Sequence, residues 1–267
     1  MYLTARTRLV LRLLTLLGLA FLYAPLAIVV LNAFNTSRTY AFPPTGYTLH
    51  WWSAARHSSA VLETLKNSIW AGVGATVVAL VLGTMAAFGV QRYTFFGRRS
   101  VSFLVVLPIA LPGIVTGLAL RNVFDQVFGL PLSIWTIIIG HATFCIVIVF
   151  NNVQARLRRT GSSLEQASAD LGGTGLQTFW FVTLPNLRGA LVAGALLAFG
   201  LSFDEIVVTS FTAPADRHTL PQWIFDNLSR PNQAPIVNVV AAVLIVVAVV
   251  PVWLAQRLTD DAAGSRF

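Results

Sequence analysis

Six long runs of apolar residues divide the chain, and each run is continuous rather than alternating. A helix that crosses the hydrocarbon layer needs about 20 mostly apolar residues, so each run predicts a transmembrane helix. The predicted spans are Leu13–Phe34, Asn67–Val90, Val101–Leu120, Ser133–Phe150, Gly189–Phe211 and Ile236–Ala255. Pro108 and Pro112 predict a bend or an interruption in the third span, because proline lacks a backbone donor.

The composition supports a protein that lies within a membrane. Of the 267 residues, 56% are hydrophobic and only 10% are charged, whereas soluble domains carry about 25% charged residues. Disordered chains are poor in apolar residues, so the composition also excludes disorder. The sequence therefore predicts an all-α integral membrane protein. The single cysteine, Cys145, lies in an apolar run and excludes an internal disulfide.

The net charge of +8 would suggest a nucleic-acid partner in a soluble chain, but here the positions of the basic residues indicate orientation. With both termini placed inside, twelve of the 18 basic residues fall in inner segments and six fall in outer segments. Cytoplasmic loops are enriched in arginine and lysine. We therefore predict a multi-pass protein of the cell inner membrane with N-in/C-in, cytoplasmic termini and no nucleic-acid partner.

We find no motif for catalysis, metal binding or ATP hydrolysis. Lys66 is the only lysine and follows leucine, whereas a Walker A loop requires Gly-Lys. The four histidines lack the spacing of metal ligands, and the residues around Ser202 lack the closing glycine of a nucleophile elbow. We expect no enzyme activity, no catalytic residue, no metal and no cofactor. Uphill transport would then take its energy from a partner subunit or an ion gradient.

The connection between the fourth and fifth spans, 151–188, is the longest of the predicted inner segments. Ser162 or Ser163 can cap a short helix, and Gly172 can end it. A second short element follows and is predicted to end at Pro185. Because two short elements cannot bury their own apolar residues, this segment predicts a groove on a partner that receives it. The alternative is a loop that lies on lipid headgroups.

Two carboxylates, Asp204 and Glu205, lie within the predicted fifth span. An ionised carboxylate in hydrocarbon costs at least about 2–3 kcal/mol, so such residues usually face a polar path or a partner. Adjacent helical positions are about 100° apart, so the two cannot face the same way. We predict that at least one of them, with Ser202 and Thr209, lines a path for a cation. The alternatives are a structural hydrogen bond, an ion pair with a partner subunit, or an interfacial position. Weaker candidates are Arg121, Asn122, Asp125 and His141.

A resemblance to the EAA loop of ABC importer permeases is carried by residues 165–172, EQASADLG, followed by residues 183–185, TLP. In that family the loop is a coupling helix that sits in a cleft of the ATPase subunit. The family pattern, E-A-A-x-D-L-G and then L-P, places its glutamate on Gln166 and its two alanines on Ala167 and Ser168. The resemblance implies these ATPase-coupling residues: Glu165, Gln166, Ala167, Asp170, Leu171, Gly172, Leu184 and Pro185.

The resemblance covers nearly the whole chain and extends to spermidine/putrescine-type permeases. The further motifs are PPTGYTLHWW at 43–52, Asn67-Ser68, LPIALPG at 107–113, LSFDEIVVT at 201–209 and TLPQWIF at 219–225. It implies the type I ABC importer permease fold, with six transmembrane helices of which the first wraps a partner. The implied parts are an N-terminal span and first outer segment (1–60), a five-helix core (61–256) with the coupling loop at 153–188, and a cytoplasmic tail (257–267).

The function implied by the resemblance is that of a permease subunit in an ATP-driven importer, with polyamines as the expected solute. Opines, phosphonates and ferric iron are the alternatives within the family. The implied partners are a homologous second permease, two ATPase subunits, an extracytoplasmic solute-binding protein and the lipid bilayer. Two other classes stay open: an ion-coupled secondary transporter with Asp204 and Glu205 as its coupling site, and a scaffold subunit.

Overall fold

The computed structural model describes residues 4–38 and 43–248, and these are almost entirely helical. In chain order the helices are α1 (Ala5–Asn32), α2 (His50–His57), α3 (Ser59–Arg92), α4 (Arg98–Ala110), α5 (Gly113–Asn122), α6 (Ile134–Thr160), α7 (Ser163–Asp170), α8 (Gly175–Thr178), α9 (Leu184–Phe203), α10 (Val207–Thr212), α11 (Leu220–Asn227) and α12 (Ala234–Ala248). Two π-helical segments, Val123–Val127 and Phe179–Thr183, extend α5 and join α8 to α9. The predicted all-α class is confirmed for the described residues.

Four helices in the described part of the chain are long and apolar enough to cross a membrane: α1, α3, α6 and the continuous helix Gly175–Phe203. The pair α4 and α5 is a fifth candidate, although the two helices meet at a bend of 105°. The bend follows Ala110, so the predicted interruption near Pro112 is confirmed, whereas Pro108 lies inside α4. The predicted sixth span begins within α12.

Part of the sequence prediction falls outside the described residues. The sixth span was expected over Ile236–Ala255, and its residues beyond 248 are not described. The tail at 257–267 lies wholly outside the described part of the chain. The count of six helices and the position of the termini therefore remain predictions.

The predicted fifth span, Gly189–Phe211, is wrong at both ends. Its helix begins earlier, since α8, the π-helical segment and α9 run on continuously from Gly175. It also ends earlier, at Phe203, and a separate helix, α10, starts at Val207. Apolar residues resume directly after Asp204 and Glu205, so the apolar pattern was interpreted as one span and the break was not predicted.

Pro185 does not end the helical segment that precedes it, contrary to the sequence prediction. It lies in the first turn of α9, where a proline is tolerated. The preceding turn is π-helical, and the N–H of Leu184 donates to the carbonyl of Phe179, five residues back. The Asn186 side chain donates to the carbonyl of Val182 at 2.7 Å. The preceding turn is wider than an α-helical turn, and the helix continues through the proline.

Residues Glu63–Trp223 form one compact unit with α6 in its core. Small residues let α3 approach α6 closely: a Cβ at Gly83 would lie 2.9 Å from the carbonyl oxygen of Ile146 and 3.1 Å from the amide nitrogen of Phe150. Helix α9 also packs along α6. The buried apolar core consists of Ala75, Ala79, Ala87, Val90, Ala142, Phe144, Cys145, Val149, Phe150, Val153, Leu157, Leu187, Ala198 and Val208.

The described residues before and after this unit form a second one. Its small core brings together α1, α2 and α12 through Ala33, Ala55, Val239 and Ala242. Trp51 donates from Nε1 to the carbonyl of Asn35 at 2.9 Å, which holds α2 to the segment after α1. The most apolar stretch of α1 is wholly unburied, so this helix offers its apolar surface to its surroundings.

Candidate functional site

The connection after α6 folds as the sequence predicts, into a short helix that ends at a glycine. Helix α7 covers Ser163–Asp170, and Ser162 stands at its N-cap position without a side-chain capping bond. At its other end, Gly172 adopts a positive φ of 80°. Its N–H donates to the carbonyl of Ala169, and the Gly173 N–H donates to that of Ser168, both at 2.9 Å. This pattern is a Schellman motif, which favours glycine at Gly172.

The next element, α8, is capped at its own start and is joined to α7 by one side-chain hydrogen bond. Thr174 and Gln177 form a capping box, in which the Gln177 side chain accepts from the Thr174 N–H at 2.8 Å. The hydroxyls of Ser168 and Thr178 lie 2.9 Å apart, which joins the two helices. The bend between them is thereby held in one shape.

Most of the predicted coupling residues are exposed. Gln166, Ala167, Asp170, Leu171, Gly172 and Pro185 are exposed, whereas Leu184 and Glu165 are half-buried. The same region carries large exposed apolar side chains, which we call the coupling surface: Leu164, Leu171, Leu176, Trp180 and Phe181. Leu171 is 90% exposed and Phe181 is 80% exposed. Leu164 and Leu176 lie in α7 and α8, whereas Trp180 and Phe181 lie in the π-helical segment that follows. Together they form an exposed apolar patch beside two short polar helices.

Glu165 differs from its neighbours because its carboxylate binds within the chain. Arg92 places Nε 2.8 Å from Oε2 of Glu165 and donates from Nη2 to Oε1 at 3.1 Å. The hydroxyl of Thr183 donates to the same Oε1 at 3.1 Å. Arg92 Nη2 also donates to the carbonyl of Gly161. The sequence indicated Arg92 only as one of the inner basic residues, because no local pattern links residues 73 positions apart.

The two carboxylates of the predicted path lie in the break between α9 and α10. They do not occupy adjacent positions of a continuous helix, so the expected separation of about 100° does not apply. Asp204 is exposed at the end of α9, and Glu205 is half-buried. Glu205 Oε1 accepts from the N–H of Val208 at 2.8 Å, so this carboxylate satisfies a free donor in the first turn of α10.

Helix α10 is positioned by the glycines of α5. A Cβ at Gly117 would lie 2.6 Å from the Phe211 ring, and one at Gly113 would lie 3.3 Å from Val207. The spacing of these two glycines indicates close helix packing, and the structure identifies α10 as the partner. The second helix of the bent pair, α5, therefore lies against α10, directly after the break in the fifth span.

His141 bridges the break from α6. Its Nδ1 lies 2.7 Å from the Ser202 hydroxyl in α9, and its Nε2 lies 2.8 Å from the Thr209 hydroxyl in α10. Thr209 donates its hydroxyl hydrogen to the Glu205 carbonyl at 2.7 Å. Its oxygen therefore accepts from Nε2–H, and Nδ1 accepts from the Ser202 hydroxyl. Ser202, Thr209 and His141 are all buried.

This network gives His141 a larger role than the sequence suggested. Ser202 and Thr209 were predicted to line a path, and the structure places both against the imidazole. An ionisable residue inside a predicted span was the signal that could have drawn attention to His141. Arg121, Asn122 and Asp125 do not share in the hydrogen bonds described at this break.

Comparison with known proteins assigns the chain to a family. The model of the family described as "Binding-protein-dependent transport system inner membrane component" matches residues 79–261. The chain is 33% identical over 239 residues to the putrescine transport system permease protein PotI of Escherichia coli K12, covering 86% of this chain and 83% of that protein. It is 31% identical to the spermidine/putrescine transport system permease protein PotC of Haemophilus influenzae, covering 90% of this chain and 92% of that protein.

Solved structures agree on the fold. A bacterial ABC transporter involved in the import of the acidic polysaccharide alginate superposes with a TM-score of 0.72 at 17% identity, covering 98% of this chain and 99% of that chain. The MetNI methionine ABC transporter superposes with a TM-score of 0.57 at 17% identity, covering 76% and 98%. The type I ABC importer permease fold is thus confirmed. The chain is a multi-pass inner-membrane transport subunit that works with a binding protein, and it belongs to the family of binding-protein-dependent transport system inner membrane components.

Proposed function

We propose that the chain is one permease subunit of an ATP-driven importer of polyamines. The observation that carries this proposal is its similarity, over most of both chains, to permeases named for putrescine and for spermidine/putrescine. The carboxylates at the break after α9 support it, since a polyamine carries several positive charges and requires negative partners. A relative named for 2-aminoethylphosphonate, 28% identical, keeps a phosphonate as the second candidate solute.

The solute is tested by uptake in cells that lack their own polyamine importers. We expect uptake of radiolabelled putrescine or spermidine when the chain is expressed with the second permease, the ATPase and the binding protein. We expect no uptake when the ATPase subunit is omitted. Uptake of 2-aminoethylphosphonate in place of polyamines would refute the polyamine assignment. Uptake that survives loss of the ATPase and stops when the ion gradient collapses would instead indicate an ion-coupled transporter.

In this proposal the coupling surface docks into the ATPase subunit. Its exposed apolar side chains lie on α7, on α8 and on the residues directly after each of them. The bend between the two helices is fixed by the Schellman motif and by the Ser168–Thr178 hydrogen bond. Burying such side chains in a cleft contributes about 25 cal/mol per Å² of apolar area. The complete importer then comprises a second homologous permease, two ATPase subunits and an extracytoplasmic binding protein.

The docking is tested by replacing Phe181 with aspartate. We expect the Phe181→Asp chain to reach the membrane but to lose co-purification with the ATPase subunit. Phe96 is a matched control, because it is fully exposed in the short connection between α3 and α4. Phe96→Asp is expected to keep the association. Equal co-purification of the two variants would rule out docking through this surface.

Asp204 is proposed to face the solute path, because it is the exposed carboxylate at the break and Glu205 is engaged in capping α10. We expect Asp204→Asn to lower polyamine uptake with normal assembly. The control is Asp216→Asn, an exposed carboxylate in the connection between α10 and α11. Full uptake by an assembled Asp204→Asn importer would remove Asp204 from the path.

The orientation and the division of the chain are further parts of the proposal. The distribution of arginine and lysine supports cytoplasmic termini. The proposed division is an N-terminal span and first outer segment (1–60), a five-helix core (61–256) with the coupling loop at 153–188, and a cytoplasmic tail (257–267). A fluorescent protein fused before Met1 is expected to fluoresce, whereas a periplasmic phosphatase at the same place should be inactive. An active phosphatase there would reverse the orientation.

A further inference from the structure

One charged side chain of α7, Glu165, binds the longer helices, while Ser168 separately joins α7 to α8. Glu165 binds Arg92 at the end of α3 and Thr183 directly before α9, and Arg92 also binds the carbonyl of Gly161 at the end of α6. No residue of α7 is buried. The Glu165 carboxylate is therefore where the exposed helix meets three longer helices.

The surroundings of this contact strengthen it. The side chains of Arg92 and Glu165 are only 13% and 20% exposed. Leu157, Leu164 and Val182 line the pocket beside them. Ionic attraction is stronger in such surroundings than on an open surface, and removing one partner leaves the other charge without compensation. The contact is therefore firmer than an exposed ion pair, which contributes little.

The two backbone junctions of α7 differ. Gly172, with a φ of 80°, is held by the Schellman motif, and the Ser168–Thr178 hydrogen bond fixes α7 to α8. Gly161, between α6 and α7, has a φ of 64°, and glycine is the residue with the most conformational freedom, so this junction can turn. Helix α8 continues into α9, whereas a push on α7 reaches α3 and α6 through side chains.

We propose that Arg92 and Glu165 form the joint that transmits movement of α7 to α3, α6 and α9. Both are positioning residues, since they couple ATP hydrolysis to helix movement without touching the solute. This inference rests on the proposed function, because it assumes that α7 is moved by an ATPase subunit. In this proposal Glu165 makes a contact within the chain, whereas the exposed Gln166 is available to the ATPase subunit.

The test is a charge-reversal cycle in proteoliposomes that contain the assembled importer and its binding protein. Arg92→Glu, Glu165→Arg and the double variant are compared for ATP hydrolysed and for radiolabelled spermidine taken up. Each single reversal is expected to lower uptake per ATP about fivefold or more, within the range of typical coupling energies. The double reversal restores the ion pair and is expected to recover most of that loss. Arg99→Glu reverses an exposed arginine in α4 and is expected to stay within about twofold of the parent.

Neutral variants keep the test decisive if a reversal prevents assembly. Arg92→Gln or Glu165→Gln alone leaves one shielded charge unpaired, whereas the double Gln variant leaves none, so the double is expected to couple better than the worse single. The proposal would be refuted if the single variants kept full uptake per ATP. It would also be refuted if the loss in each double variant equalled the product of the losses in its two single variants. A parent importer that neither binds its ATPase nor takes up spermidine would instead overturn the proposed function.

Discussion

Gly83 marks a close approach between the backbones of α3 and α6, and adding one methyl group there should separate the helices. A Cβ at Gly83 would lie 2.9 Å from the Ile146 carbonyl oxygen and 3.1 Å from the Phe150 amide nitrogen. Both are backbone atoms of α6, so no rotation of a side chain relieves the contact. Overpacking of this kind costs about 1–3 kcal/mol. The better helix propensity of alanine returns about 0.5–1 kcal/mol.

Gly89 supplies the matched control, because it lies in the same helix and a Cβ there would meet nothing within 4 Å. The propensity gain is common to Gly83→Ala and Gly89→Ala, so the difference between them isolates the packing cost of about 1–3 kcal/mol. The purified subunit is unfolded in dodecyl maltoside micelles by added sodium dodecyl sulfate, and the loss of helix is followed by circular dichroism. The titration gives the free energy of unfolding of each variant. We expect Gly83→Ala to be the less stable variant.

A third variant separates backbone contact from side-chain contact at the same position. The Cβ of Val149 would also lie 3.0 Å from a Cβ at Gly83. Val149→Ala keeps that atom and every backbone atom, so it should not rescue Gly83→Ala. Equal stabilities of the Gly83 and Gly89 variants, or rescue by Val149→Ala, would refute the close approach of the two helices.

Three more substitutions follow from the described contacts. His141→Ala removes two hydrogen bonds between helices and should cost about 1–3 kcal/mol in the same detergent titration, whereas Thr143→Ala removes only a bond within α6 and should cost much less. Gly172→Ala forces a side chain onto a φ of 80° at about 1–2 kcal/mol, so hydrogen exchange of the α7 amides should quicken about five- to thirtyfold. Gly175→Ala meets open space and should leave that exchange unchanged. Gly117→Val should destabilise the subunit by about 1–3 kcal/mol through the Phe211 ring, and unchanged unfolding would show that α5 and α10 do not pack there.

Local signals in the sequence were sufficient for some elements. The end of α7 was predicted because Gly172 is a residue that favours the required φ, and the structure shows that conformation. The break between α4 and α5 was predicted because Pro112 carries its own geometric constraint. Each of these features is decided by residues next to one another in the chain. The long apolar runs likewise identify helices without information from the rest of the fold.

The errors have a common origin in contacts between distant residues. Pro185 was expected to stop a helix, since nothing in the nearby residues announces the π-helical turn that accommodates it. The break after Phe203 is held by His141, which lies more than sixty residues earlier. The partner of Glu165 is likewise separated from it by a long stretch of chain. The pattern of hydrophobic positions does not predict which distant residues form such pairs.

Helix α9 connects the two parts of the candidate site. It begins directly after Thr183, which binds the Glu165 carboxylate, and it ends at Phe203, directly before Asp204. Its 20 residues rise about 1.5 Å each, so the two ends are about 30 Å apart. If the proposed function is right, we expect α9 to move as a rigid body along α6, so that a displacement at Thr183 reaches the break. Under the proposed function, α9 therefore links the Arg92–Glu165 ion pair near its first residue to the break at Asp204 after its last residue. It can remain helical throughout.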